Sequence, residues 1–196
     1  MEISAWRQTD QPVNSLANHF LIAMPSLHDS NFSRSVTVIC HHDTEGAMGI
    51  IINQPLDLTV TELFSEAALP TEKLTHPEHP VCYGGPVQTD HLFTLHDCSS
   101  EWESTLKIND NLSLTTSPDF LESLSSGKFS CEYMLALGYA GWGACQLEAE
   151  ILENSWIYAM IDNDIIFNTG AAGRWEAAAR LAGIDLNRIA SYSGKA

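Results

Sequence analysis

The sequence predicts an α+β domain in which short, mostly antiparallel strands are mixed with helices. Three observations lead to this prediction. Short apolar runs rich in β-branched residues recur along the chain, capped helical segments separate some of them, and no regular strand–helix–strand repeat connects them. Because the chain has 196 residues, of which 44% are hydrophobic, it can bury one sizeable core and fits a single domain.

Strands dominate the first half of the predicted domain. Pro25 stops the first apolar run, and residues 43–46, Asp-Thr-Glu-Gly, are typical of a turn that joins the next two runs into a hairpin. Thr59 or Thr61 should cap a short helix that Pro70 ends. The predicted strands of this half are residues 19–24, 35–40, 47–52 and 81–83, and the predicted helix covers 59–69.

The second half alternates strands and helices. Residues 109–111, Asn-Asp-Asn, are typical of a turn between two short strands, and Ser117 followed by proline marks a helix start. An apolar stripe that includes Leu152 and Tyr158 predicts a further helix, and Gly183 closes the last one. The predicted strands are 92–95, 106–108, 112–115, 133–137 and 165–167, and the predicted helices are 118–125, 144–158 and 173–181, the last with Trp175, Ala178, Ala179 and Leu181 facing inward.

The charge of the chain restricts the classes of partner that suit it. Twenty-five acidic residues against nine basic ones give a net charge of −16, which would repel a nucleic-acid backbone. Direct nucleic-acid binding is therefore disfavoured, and a protein or small-molecule partner is easier to accommodate. No apolar run approaches the roughly 20 residues that span a bilayer, so we expect no membrane association.

The two ends of the chain differ from its middle. Residues 1–18 carry polar and acidic groups without the apolar core of a secretory signal, and we expect a cytoplasmic protein. The predicted organisation is a flexible arm over 1–18, one domain over 19–190 and a flexible tail over 191–196.

The five cysteines are odd in number and widely spaced, with no Cys-X-X-Cys pair. They indicate free thiols in a reducing compartment. Cys40 and Cys82 end apolar runs and should be small core residues. Cys145 lies at a predicted helix start, where the helix dipole would favour its thiolate, while Glu148 and Glu150 would oppose that effect. The cysteines are Cys40, Cys82, Cys98, Cys131 and Cys145.

The common catalytic motifs are absent from the sequence, which has no Gly-X-Ser-X-Gly elbow, Walker loop, His-Glu-X-X-His motif or dinucleotide fingerprint. We therefore expect no cofactor and assign no catalytic residue, with Cys145 and His41 as secondary candidates for a nucleophile and its base. His76 and His79 are spaced like metal ligands, with Cys82 nearby, but histidines flanked by prolines in a loop are more often solvated. These three are secondary candidates, and no metal is assigned.

Residues 137–150 are the most informative stretch, because glycines and aromatic residues crowd beside a predicted helix start. Gly138, Gly141 and Gly143 permit close backbone approach. Such a segment either shapes a cleft, with unpaired helix N–H groups facing a ligand, or lets a helix pack closely on a sheet. Both interpretations stay open. The candidate cleft residues are Arg34, His41, Asn53, Gly84, Gly85, Pro86, Gly141, Trp142 and Gln146.

Five separate motifs occur in a characteristic order. They are Phe-Leu-Ile-Ala-Met-Pro at 20–25, Arg-Ser-Val at 34–36, Gly-Ala-Met-Gly-Ile-Ile-Ile-Asn at 46–53, Gly-Gly-Pro-Val at 84–87, and Gly-Tyr-Ala-Gly-Trp at 138–142 followed by Gln-Leu-Glu at 146–148. Together they resemble the bacterial AlgH/YqgE family. The resemblance implies a cytoplasmic protein whose bifurcated, mixed sheet folds into a pseudo-barrel flanked by helices. Members are often described as transcriptional regulators acting through alginate control.

Two segments depart from the family pattern. Residues 143–146, Gly-Ala-Cys-Gln, replace a turn of the Gly-Pro-Gly-Gln kind, and residues 88–91, Gln-Thr-Asp-His, stand where relatives often carry a basic residue. Both changes weaken an anion site at these two loops. We therefore expect a non-catalytic binding or regulatory module that acts indirectly on transcription through a protein or small-molecule partner. The alternative is an enzyme that uses Cys145 and His41 in the cleft.

Overall fold

The structure, a computed structural model, describes residues 15–99, 102–128 and 130–184. The predicted arm lies outside them except for 15–18, and the predicted tail over 191–196 lies outside them entirely. Within the described residues the chain forms ten strands and five helices. The elements are β1 (His19–Ala23), β2 (Val36–Asp43), β3 (Gly46–Ile51), β4 (Pro55–Thr59), α1 (Val60–Glu66), β5 (Pro80–Tyr83), β6 (Val87–His96), β7 (Thr105–Asn109), β8 (Leu112–Thr115), α2 (Pro118–Ser125), β9 (Tyr133–Gly143), α3 (Gln146–Leu152), β10 (Trp156–Met160), α4 (Asn163–Phe167) and α5 (Ala171–Leu181).

The strands form one curled, mostly antiparallel sheet that makes a half-barrel, with the helices packed against it. The order along its main path is β10-β1-β2-β3-β9-β6-β8-β7, and β4 and β5 form a side branch. The predicted α+β class and the bifurcated sheet are confirmed. The predicted β2–β3 hairpin is confirmed as well, with Thr37 opposite Ile51 and Asp43 opposite Gly46.

Strand β9 joins the two halves of the sheet. Along one edge it pairs with β6. Along the other edge its first half pairs in parallel with β5, and its second half pairs antiparallel with β3. The glycine-rich segment that the sequence places in a strand-to-helix turn is therefore mostly the second half of this eleven-residue strand.

The helices begin where local chemistry caps them. The Thr59 hydroxyl accepts a hydrogen bond from the Glu62 backbone N–H at 3.2 Å, and the Glu62 carboxylate accepts one from the Thr59 N–H at 2.8 Å. This capping box starts α1. Pro118 occupies the first turn of α2, where a missing N–H does no harm. Among the described residues, none of the helices has the length and apolar character to cross a bilayer.

Helix α5 covers the sheet at β1, β2 and β10. Its residues Trp175, Ala178 and Ala179 are buried, as predicted, and the Trp175 indole N–H donates to the Ala23 carbonyl at 2.9 Å. The prediction that Leu181 faces inward is wrong, since this side chain is 48% exposed. The next residue, Ala182, packs against the core instead, because it lies four positions after Ala178 and so on the same face of the helix.

The predicted helix over 144–158 is wrong in its second half. Helix α3 ends at Leu152, because Asn154 adopts a φ of 58° and the chain turns into β10. Leu152 and Tyr158, two members of the apolar stripe, are 83% and 50% exposed. The apolar stripe runs across the turn in the sequence because apolar residues of β10 fall at positions that also continue the helical period of α3.

The predicted strand over 165–167 is also wrong, since these residues lie in α4. The Asp162 carboxylate accepts a hydrogen bond from the Asp164 N–H at 3.0 Å and so starts a helix that a short apolar run alone does not indicate. The sequence does not predict strands β4 and β10. Strand β4 begins with a proline, which is uncommon in strands, and β10 begins within the predicted helix over 144–158.

The structure corrects the prediction for two cysteines. Cys98 and Cys131 form a disulfide with their Cα atoms 5.3 Å apart, so the expectation of free thiols is wrong for this pair. The antiparallel register of β6 and β9 places His96 opposite Tyr133, which brings the chain after β6 beside the chain before β9. Cys40 and Cys82 are buried free thiols, as predicted.

A buried histidine makes the fold sensitive to acid. His96 is fully buried beside Phe120 and Trp102, with ring centroids 4.7 and 5.3 Å away, and neither of its ring nitrogens hydrogen-bonds within the described residues. Burial lowers the pKa of His96 from 6.5 to about 4. Below pH 6.5 the unfolded chain binds a proton that the folded chain takes up only near pH 4, so stability is lost as the pH falls through this window.

Replacing His96 by phenylalanine should reduce this acid sensitivity while keeping the aromatic contacts. Between about pH 7 and pH 4.5, the free energy of unfolding of H96F should fall by roughly 2 kcal/mol less than that of the wild type. Urea unfolding at both pH values measures the difference, and H91Q, at an exposed histidine, is the matched control. An equal decline in H96F and in the wild type would contradict the assignment.

Candidate functional site

A cavity of about 200 Å³ opens between β5, the start of β9 and the turn from α4 to α5. Apolar side chains form much of its wall. None of the described residues that line it is an aspartate or a glutamate, although the chain has 25 acidic residues. The cavity is lined by Val60, His79, Pro80, Cys82, Tyr133, Met134, Leu135, Ile166, Phe167, Asn168, Thr169, Gly170, Ala171 and Arg174.

The polar centre of this wall is Arg174 of α5, which is only 9% exposed. Its Nε–H donates to the carbonyls of Ile165, at 3.2 Å, and Thr169, at 2.9 Å. Its Nη1 group donates to the Ile52 carbonyl, just beyond the end of β3. One side chain therefore ties the sheet to α4 and to the turn before α5.

The charge of Arg174 has no carboxylate partner among the described residues, whose ion pairs involve other cations. The Cys82 thiol lies beside the guanidinium and donates to the Ile52 carbonyl at 3.6 Å. Burial raises the pKa of Cys82, with Arg174 opposing that shift, so the thiol stays neutral and does not balance the charge. Burial also lowers the pKa of Arg174, as expected for a cation removed from water.

Two of the residues considered for a metal site line this cavity, and the third does not. His79 and Cys82 belong to the wall. His76 stacks on His79 with ring centroids 4.5 Å apart, and its Nε2 atom pairs with the Glu132 carboxylate at 3.1 Å. Burial lowers the pKa of His79, and the nearby charges of His76 and Arg174 lower it further. The cation Arg174 thus lies close to the two candidate ligands.

The two glycine segments of the predicted cleft meet through their backbones. Gly84 lies so close to β9 that a Cβ atom there would be 2.2 Å from the Gly138 carbonyl oxygen, and one at Gly85 would be 2.2 Å from the Tyr139 carbonyl carbon. The Gly84 N–H donates to the Leu137 carbonyl at 2.7 Å, and its own carbonyl accepts from the Ile51 N–H. This geometry explains both glycines as packing residues, while Pro86 is exposed.

Arg34 and Asn53, the predicted polar groups of the cleft, support one another. The Asn53 side chain accepts from the Val36 N–H at 2.7 Å and donates to the Arg34 carbonyl at 2.9 Å. It therefore holds the start of β2 in place. The Arg34 guanidinium lies over the Trp175 ring, 4.9 Å from its centroid.

Trp142 and Gln146 converge on Glu150 of α3. The Trp142 and Trp156 indole N–H groups both donate to the same Glu150 oxygen, at 3.0 and 2.8 Å. The Gln146 side chain donates to the other oxygen at 2.9 Å and accepts from the Gly143 N–H at 3.0 Å. This network fixes α3 to the end of β9, and Gly141 is exposed next to it. Whether a ligand contacts this surface stays a prediction.

The two candidate catalytic residues are not hydrogen-bonded to each other. Cys145 is an exposed free thiol just before α3, with a φ of 61°. The structure thus places it at the cap of the helix and not within its first turn. His41 is buried, and its Nε2 atom pairs with the Asp43 carboxylate at 2.9 Å. Among the described residues, no histidine hydrogen-bonds the Cys145 thiol.

The adjacent His42 has a structural role, because both of its ring nitrogens make hydrogen bonds within the protein. The Leu16 N–H donates to its Nδ1 atom at 2.9 Å, so Nδ1 is the acceptor and the proton resides on Nε2. Nε2 then donates to the Glu148 carboxylate at 3.0 Å. Both nitrogens are therefore committed to holding the chain before β1 and helix α3.

Sequence reasoning missed Arg174 and the turn that precedes it. A signal was present, because Arg174 immediately precedes Trp175 and lies four residues before Ala178, both assigned to the inward face. A lone arginine on the buried side of an alanine-rich helix is unusual and marks a special environment. Its partners are backbone carbonyls, two of them in the preceding turn and helix and one, that of Ile52, 122 residues away, and no side-chain pattern in the sequence reveals them.

Comparison with known proteins places this fold among bacterial relatives. The AlgH-like family model matches residues 20–187. A UPF0301 protein of Nitrosococcus oceani is 46% identical over 91% of this chain and 96% of its own length, and one of Methylococcus capsulatus is 45% identical over 91% and 95%. The solution structure of AlgH from Pseudomonas aeruginosa is 37% identical, with a TM-score of 0.75 over 96% of this chain and 100% of that one. A Corynebacterium diphtheriae protein, 20% identical with a TM-score of 0.67 over 90% and 91%, shares the fold.

Replacing Gly84 by alanine should destabilise the fold, since the new methyl group would overlap the Gly138 carbonyl oxygen. We expect a loss of about 2 to 3 kcal/mol in the free energy of unfolding. G143A is the matched control, because a Cβ there meets nothing nearer than 3.8 Å, and its effect should stay below about 1 kcal/mol. Denaturant unfolding measures both, and similar stabilities would contradict the close approach at Gly84.

Proposed function

The chain belongs to the AlgH-like family, and we propose that it is a non-catalytic binding module that acts through a small-molecule or protein partner. The observation that supports this most is the cavity beside Arg174, where a buried cation without a carboxylate partner among the described residues faces a largely apolar wall. Concave sites with apolar walls and a few fixed polar groups are typical of small-ligand binding. The cavity, at about 200 Å³, suits a small molecule or one end of a larger one.

The fixed position of Arg174 favours recognition of a bound group. Three carbonyls, those of Ile52, Ile165 and Thr169, hold the guanidinium and leave it little freedom. A group that is already ordered loses little entropy when a ligand arrives. The wall is built from β5, β9, α4 and α5, so a ligand would contact both the sheet and the helices that cover it.

The catalytic alternative requires Cys145 to be activated by a base. Its thiol is exposed, its nearest helix is short, and His41 is engaged with Asp43. A nucleophile normally needs a base within hydrogen-bond reach, although such contacts are often longer before substrate binds. The described arrangement thus supports a binding module more than a Cys/His enzyme.

The charge of the chain favours an indirect action on transcription. A net charge of −16 opposes contact with DNA phosphates. We therefore propose that any regulatory effect passes through a protein or small-molecule partner in the cytoplasm. The exposed surface around Gly141, Pro86 and Gln146 is a second place where such a partner would bind, as the sequence predicts.

A variant with a filled cavity should lose a ligand that the wild type retains. Ala171 lines the cavity, so A171W should block it, whereas Ala149 of α3 is exposed and does not line it, which makes A149W the matched control. We expect native mass spectrometry of protein purified from its host to show a bound mass in the wild type and A149W, and none in A171W. The absence of any bound mass in the wild type, or its persistence in A171W, would contradict ligand binding at this cavity.

The same preparation separates the binding module from the enzyme. C145S and H41A should retain the bound mass unchanged, because neither residue lines the cavity. If instead the bound mass in the wild type is a product, and C145S or H41A accumulates a different, unconverted molecule, the enzymatic alternative is supported and the non-catalytic proposal fails.

A further inference from the structure

We propose that the cavity binds the oxyanion group of a small molecule, a carboxylate or a phosphate, between the Arg174 guanidinium and the first turn of α5. This inference rests on the proposed binding function and specifies the chemistry of the ligand. It depends on four features of the described residues. Arg174 carries a buried charge that no carboxylate among these residues balances, and some N–H donors near it have no acceptor among them. The described part of the cavity wall has no acidic residue, and the rest of that wall is largely apolar.

The first feature is the charge of Arg174. The side chain is 9% exposed, and no carboxylate of the described residues pairs with it. A buried charge is costly unless it is paired, and backbone carbonyls supply dipoles but no opposite charge. Cys82, whose thiol lies beside the guanidinium, has a pKa raised by burial and remains a neutral thiol. An anionic ligand would supply the missing charge.

The second feature is a set of donors left over after the internal hydrogen bonds are made. Nε and Nη1 of Arg174 are used by carbonyls, but Nη2 has no oxygen acceptor within the described part of the chain. At the start of α5, Gly170 offers no capping side chain, and the first turn has no acidic residue. The Ala171 and Ala172 N–H groups therefore lack an acceptor among the described residues, while the Gly173 N–H bonds to the Gly170 carbonyl.

The Arg174 guanidinium and the Ala171 N–H belong to the same cavity, since Arg174 and Ala171 both line it, and Ala172 is the next residue of the same helical turn. The eleven-residue helix presents the positive end of its dipole there. A carboxylate or phosphate can accept from a guanidinium and from helix N–H groups at the same time, and charge-assisted bonds of this kind are the stronger ones. The donors are thus suited to an oxyanion.

The other residues of the cavity wall disfavour a bound cation and indicate the chemistry of the part of the ligand that is not the oxyanion. Within the described ranges no acidic residue lines the cavity, and Arg174 would repel a metal ion near His79 and Cys82. The other lining side chains include Val60, Ile166 and Phe167, which suit a short carbon chain. The ligand class is therefore a small organic acid or a phosphate monoester with a short apolar part.

The test is a titration of the full chain, followed by ¹⁵N chemical shifts, with acetate, butyrate and inorganic phosphate as separate probes. We expect saturable shifts that include the Ala171 and Ala172 amides and the Arg174 Nε–H signal. Butyrate binding more tightly than acetate would identify a carboxylic acid with a carbon chain, whereas phosphate binding most tightly would identify a phosphate group. Either order supports an oxyanion site. Absence of saturable shifts at α5 with all three probes would overturn it.

Variants separate the charge of Arg174 from its structural bonds. R174M should weaken binding of the best probe by at least about 10-fold, because it removes a charged donor. R174K should retain more binding than R174M, and R180M, at an exposed arginine of the same helix, should bind like the wild type. If R174M does not fold, A171W, which keeps the charge but fills the cavity, must abolish the shifts at α5. Equal binding by the folded variant and the wild type would overturn the site.

The outcome also distinguishes this inference from the proposed function. If the wild type carries a bound neutral molecule that A171W lacks, and none of the three anions binds at α5, the binding module stands and the oxyanion site is wrong. If no molecule copurifies and no anion binds, both the oxyanion site and the proposed small-ligand binding at this cavity are wrong.

Discussion

The hydrogen bonds of the Arg174 guanidinium are the interaction on which the arrangement of α4 and α5 against the sheet depends. The guanidinium reaches from α5 to carbonyls of α4, of the turn between them and of the segment after β3, so three parts of the chain share one cation. The same charge is what makes the adjacent cavity chemically specific. A neutral side chain of similar size would fill space, but it would neither hold the carbonyls together nor attract an anion.

The curled sheet explains how this site comes to exist. Strand β9 pairs with β5 before it pairs with β3, and the close approach of Gly84 to Gly138 occurs where the partner changes. At that branch β5 places Cys82, and His79 just before it, beside the start of β9. Ile52, whose carbonyl accepts from Arg174, directly follows β3. The cavity therefore lies beside the bifurcation of the sheet. The glycines of the family motifs support this geometry through backbone packing.

The sequence predicted the features that local chemistry determines. Thr59, one of the two predicted caps, starts α1, the Asp43–Gly46 turn closes a hairpin, and Trp175 with Ala178 marks a buried helical face. Each of these features depends on residues that are close together in the chain. The errors arose where tertiary context decides. Asn154 ends α3 although the apolar stripe continues, and Cys98 meets Cys131 across 33 residues because two strands pair.

For the site, the sequence drew attention to His79 and Cys82 as metal candidates but not to Arg174, whose carbonyl partners are up to 122 residues away.

The most direct test of this account is a crystal structure of the wild-type protein grown with inorganic phosphate or butyrate and refined for density beside α5. The account predicts an ordered oxyanion within hydrogen-bond distance of Arg174 Nη2 and of the Ala171 or Ala172 N–H. Density for water alone in the cavity, or a carboxylate of the chain itself paired with Arg174, would contradict it.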